Sequence, residues 1–145
     1  MRTDPTIDEI AAVEQKTPVT CPLFVCGVSA GFPSPADDHI DRSLDLNELL
    51  IQNPAATFFV RVAGDSMRDA GINHGDILVV DRSLEPTNGK IIIAIVNGDL
   101  TVKTFLRSRT ACRLVAANPD YQPVEITEDT DFTAWGVVTS VIHQF

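Results

Sequence analysis

The chain has 145 residues, 44% of them apolar, and a net charge of −9. That length suits one domain with an arm; no apolar run approaches the ~18 residues that cross a bilayer, and neither the first 48 residues nor the rest is basic, so no direct grip on nucleic acid is expected. Cys21, Cys26 and Cys112 form no C-x-x-C pair and His39, His74 and His143 are scattered, so neither a disulfide framework nor a metal or other cofactor is expected, and the acidic start, without the regions of a signal peptide, points to the cytoplasm.

Residues 1–36 read as a flexible N-terminal arm. Pro5, Pro18, Pro22, Pro33 and Pro35 interrupt any long helix or central strand. Ile7–Gln15 has weak helical spacing with too little apolar surface to hold itself. The segment 29–38, SAGFPSPADD, is small, polar and turn-rich, the kind of stretch where chains are nicked. A helix is predicted over Leu44–Gln52, opened by Asp45 with Glu48 and closed by Asn53-Pro54. After it come short strands: 57–63, 76–82, 90–96, 99–106, 112–117, 124–127 and 135–142. Asn97-Gly98 marks a hairpin between the third and fourth of them. The fold class expected is therefore mainly β, a compact domain over residues 37–145 with one short helix. The last strand, Trp135–Ile142, reads either as a sheet edge available for dimerisation or as core.

Two residues suggest chemistry. Gly64-Asp65-Ser66-Met67 ends a strand and opens a turn, where a serine hydroxyl can project and nearby amides of Ser66 and Met67 can face an oxyanion. Arg68 stands where a nucleophile elbow needs its second Gly, so this is not the G-x-S-x-G motif; a turn serine capping its own backbone has the same look. A serine nucleophile needs a base. Lys103 lies in the largely apolar strand DLTVKTFL, where alternation puts Thr101, Lys103 and Phe105 on one face. Burial there would lower its pKa and make it a general base, whereas a lysine on a half-exposed strand would do nothing. His74, in the polar NHGD turn, is the rival base.

The segments GFPSPA, LDLNELLIQNPAATFFVRVAGDSM, GINHGDILVVDRSL, GDLTVKTF and WGVV occur in that order. Together, over roughly residues 24–143, they resemble the UmuD-type subunits of error-prone bacterial DNA polymerases, with their plasmid-borne MucA, RumA and ImpA relatives, within the wider class of LexA-like self-cleaving serine peptidases. The resemblance implies a β fold shared with LexA and related to bacterial signal peptidases. It implies Ser66 as nucleophile and Lys103 as base, 37 residues apart. The arm would be cut at Ala30-Gly31, directly before FPSPA, with Cys26-Gly27 as the alternative bond. It also implies activation by a RecA–single-stranded DNA filament, a homodimer of the shortened form, and partnership with a UmuC-type polymerase in translesion synthesis during the SOS response. The alternative reading is a catalytically silent dimeric subunit of such a polymerase. A LexA-like repressor would need a DNA-binding helix-turn-helix before the bond, which thirty acidic, proline-broken residues do not supply. A leader peptidase would need a membrane anchor.

Overall fold

The computed structural model describes residues 7–14, 18–24 and 40–145. The chain divides into two units, Glu14–Gln52 and the remainder, Met1–Val13 with Asn53–Phe145.

In the smaller unit, a strand β2 (Thr20–Phe24) pairs antiparallel with β3 (Ile40–Asp45), and a short helix α1 (Leu46–Leu50) follows. Pro22 is tolerated because a two-stranded sheet has only edge strands. The helix is shorter than the expected Leu44–Gln52. Asp45 is the N-cap, its side chain accepting from the Asn47 amide at 3.0 Å, but Asp45 keeps extended backbone angles and still belongs to β3. Leu44 is therefore strand, and the helix begins only after the cap.

The larger unit is one eight-stranded sheet in which every neighbouring pair is antiparallel. Its strands are β1 (Ile7–Ala12), β4 (Thr57–Val62), β5 (Ile77–Asp81), β6 (Ile91–Val96), β7 (Asp99–Arg107), β8 (Cys112–Val115), β9 (Val124–Ile126) and β10 (Phe132–Ile142), in the order β1-β4-β5-β10-β6-β7-β8-β9. The weak helical spacing of residues 7–15 is corrected here. Ile7 pairs with Val62 and Ile10 with Val60, across a bulge between Ile7 and Glu9. The extra residue breaks the period of two, so a spacing of three places both isoleucines on one face of a strand.

Both faces of the middle of the sheet are covered. On β6, Ile93 joins a core with Val60, Leu78, Val80 and Val102, while Ile92 and Ala94 join a second with Phe105, Leu114 and Val137. This is why Ile91–Val96 is continuously apolar instead of alternating. The strand Trp135–Ile142, read either as a dimer edge or as core, forms most of β10. Its residues up to Val137 pair with β6 and those from Val137 onward pair with β5, so neither neighbour runs the whole length of the strand. The edges of this sheet are β1 and β9. Among the described residues, no helix is long and apolar enough to cross a membrane.

Candidate active site

The chain after β4 turns sharply at Gly64, whose φ of 82° lies in the left-handed region that favours glycine. Met67 then drops its side chain into the first core, 1% exposed, and its carbonyl accepts from the amides of Ala70 and Ile72. Ser66 sits between these two anchors and is fully buried. Among the described residues, the amides of Ser66 and Met67 have no protein acceptor.

Lys103 arrives from β7. Asn97, at φ 50°, and Gly98, at φ 89°, make the tight turn between β6 and β7 and set the register in which Lys103 faces Ile92. A slip of one residue would turn Lys103 to the opposite face. In this register its Nζ lies 3.4 Å from Ser66 Oγ, and donates to Thr101 Oγ1 at 2.7 Å and the Val102 carbonyl at 3.1 Å. Lys103 is 4% exposed. Burial penalises the ammonium and pushes the Lys103 pKa down to about 8.

Beside Lys103 opens a cleft of about 390 Å³, with Leu100, Leu114 and Val124 as apolar wall and Thr101 and Tyr121 as polar lining. A loop between β8 and β9 braces the serine turn. Asn118 Nδ2 donates to the Asp65 carbonyl at 2.9 Å, the Tyr121 hydroxyl donates to Asp65 Oδ1 at 2.8 Å, and the Asp69 amide donates to the Ala117 carbonyl at 2.9 Å.

The chain thus brings together Ser66 and Lys103, which share no stretch of sequence. His74, the rival base, is exposed and its Nδ1 accepts from the Gly64 amide at 3.1 Å, so this ring nitrogen is engaged with the turn backbone and not with Ser66. The expected bonds Ala30-Gly31 and Cys26-Gly27 lie outside the described residues. Among the described residues, no group of three His, Cys, Asp or Glu side chains is placed to hold a metal ion. Thr101 shares the Lys103 face in the alternation, yet sequence gave it no role. Asn118 and Tyr121 lie in a loop whose sequence signal is the turn pair Asn118-Pro119, which carries no hint of a contact with the serine turn.

A family model described as Peptidase S24-like matches residues 22–139. The chain belongs to the S24-like peptidase family. Its relatives include Protein ImpA of Escherichia coli, 46% identical over 85% of this chain and 83% of that one. Protein SamA of Salmonella typhimurium is 44% identical over 93% and 94%, and Protein MucA of Escherichia coli 42% over 81% of each. A LexA repressor of Ralstonia pickettii is 44% identical over 86% of this chain but 57% of its own length. The resemblance to UmuD-type proteins therefore holds over most of the chain, and a serine-peptidase kind of activity goes with S24-like membership.

Proposed function

We propose that this S24-like protein is a self-cleaving serine peptidase in which Ser66 is the nucleophile and Lys103 its general base, cutting Ala30-Gly31 to release a shortened form. The observation that carries this reading is the 3.4 Å approach of Ser66 Oγ to a buried amine whose pKa burial has lowered to about 8. A neutral amine has two N–H bonds and one lone pair. Thr101 Oγ1 and the Val102 carbonyl can accept N–H bonds from it, and with Ser66 Oγ at 3.4 Å its lone pair can take the serine proton. The approach is long for a proton transfer, as is common before a substrate is drawn in.

In the reaction, Lys103 takes the Ser66 proton as Oγ attacks the Ala30 carbonyl. The amides of Ser66 and Met67 stabilise the oxyanion. The C–N bond breaks, Lys103 returns the proton to the Gly31 amine, and water hydrolyses the acyl-serine. Substrate and nucleophile share one chain, so effective molarities of ~10⁵ M or more are within reach once the bond is docked. A RecA–single-stranded DNA filament would act by favouring the docked arm. The shortened homodimer would serve a UmuC-type polymerase in translesion synthesis, a role supported by the likeness to UmuD-type proteins.

The test is intact mass spectrometry of purified protein held at pH 7 and about pH 10, with Ser66→Ala and Lys103→Ala beside it. A product beginning at Gly31, absent in both variants, is expected. A product beginning at Gly27 would move the bond to Cys26-Gly27 and keep the dyad. Shortening that persists in Ser66→Ala would overturn the mechanism.

A further inference from the structure

A peptide unit is planar and trans, so its carbonyl and its N–H point in opposite directions. Whatever grips the Asp65 carbonyl therefore also aims the N–H of Ser66. Asn118 grips it: the side-chain amide donates to that oxygen at 2.9 Å, and the Arg68 amide adds a bond of 3.2 Å to the same atom. Asn118 is 3% exposed, in a loop between strands, where a buried polar side chain costs free energy unless it is hydrogen-bonded. Its other end is used as well, for Oδ1 accepts from the Asp120 amide at 3.0 Å. Tyr121 reaches the same residue from the cleft side through Asp65 Oδ1.

We propose that Asn118 is a positioning residue for the peptidase reaction: its grip on the Asp65 carbonyl fixes the direction of the Ser66 N–H, and so forms one donor of the oxyanion hole. The inference rests on the self-cleavage reading above. A hydrogen bond to the carbonyl also polarises the peptide and strengthens its N–H as a donor. Without Asn118, the Asp65 carbonyl loses its side-chain donor and the turn bond from Arg68 does not replace it, so the Ser66 N–H is held less firmly before the charge develops. Tyr121 supports the same unit through a side chain that lines the cleft, so a segment entering the cleft meets a residue tied to the nucleophile turn.

The bland role for Asn118 is to shape its own loop through the Oδ1 bond to Asp120. Asn118→Asp separates the two roles, since a carboxylate keeps an acceptor for Asp120 but cannot donate to Asp65. Self-cleavage of the full chain is followed by intact mass from pH 6 to pH 10, with thermal unfolding of each variant alongside. The expected result for Asn118→Asp is a plateau rate at high pH lower by about tenfold or more, while the midpoint of the pH profile stays where Lys103 sets it. Tyr121→Phe, which keeps the ring in the cleft and deletes only the hydroxyl donor, is expected to lower the plateau by a smaller factor, and it carries the test if Asn118→Asp does not fold. An unchanged plateau in folded variants, or a shifted midpoint with an unchanged plateau, overturns the positioning role and leaves the dyad standing. A wild-type chain that never shortens at any pH overturns both.

Discussion

The Lys103 pKa of about 8 predicts the shape of the pH–rate profile. Only the neutral amine can take the Ser66 proton. With a pKa of about 8, roughly one-eleventh of the molecules hold neutral Lys103 at pH 7 and about ten-elevenths at pH 9. The rate of self-cleavage should therefore rise about tenfold between those two values and then level off. A solvated lysine, near 10.4, would instead give a rise of nearly a hundredfold over the same interval, and the rate would still climb at pH 10. The assay is the first-order appearance of the shortened chain by intact mass in buffers of constant ionic strength, with Ser66→Ala as the blank. A midpoint above about 10 would refute the claim that burial tunes this lysine. So would a flat profile, which would remove the amine from the rate-determining step.

The same shift has a consequence for stability, with the opposite beneficiary. Between about pH 8 and pH 10.5 the unfolded chain binds more protons at this site than the folded one, so stability rises with pH across that window and the full penalty is present below it. Lys103→Met is expected to gain up to about 3 kcal/mol at pH 7, read by urea unfolding, and to lose most of that gain at pH 10.5 or above. Gly136→Ala tests the packing under β10: a Cβ there would lie 2.6 Å from Val80 Cγ1 and 3.3 Å from Arg82 Cγ. Overpacking of this kind costs about 1–3 kcal/mol, and Trp135, the single tryptophan and next in chain, reports the lowered melting temperature by fluorescence.

The legible parts of the fold were those where local chemistry and tertiary context agree. Asn97-Gly98 announced a tight turn because two successive residues there need positive φ, and both have it. The seven strands after residue 57 were readable from β-branched runs between turn residues. One failure has its cause in partners far away in sequence, which set a strand's surroundings. The bulge opposite Arg61 and Val62 made Ile7 and Ile10 look helical. The pairing of β10, with β6 along its first half and β5 along its second, is likewise set at sequence distances that no local pattern encodes. The serine and lysine were legible as types in suspicious settings, while Asn118 was not, because a loop asparagine looks the same whether it turns its own backbone or holds another.

The two suspicious settings are informative for the same physical reason. A lysine on an otherwise apolar strand and a serine between a left-handed glycine and a buried methionine each bury a polar group, which costs free energy unless it is hydrogen-bonded. Lys103 is buried at a cost that Thr101 Oγ1 and the Val102 carbonyl offset only in part, since the net shift still favours the neutral form. A fold under selection for stability alone would replace Lys103 with methionine or leucine. Its presence beside Ser66 is explained if the unfavourable charge is the useful property: the site keeps a base that is mostly protonated, and hence slow, at neutral pH, yet only about one pH unit from being competent. Such a site suits a single cut that must wait for a signal, because docking the bond need only desolvate Lys103 a little further to raise its neutral share.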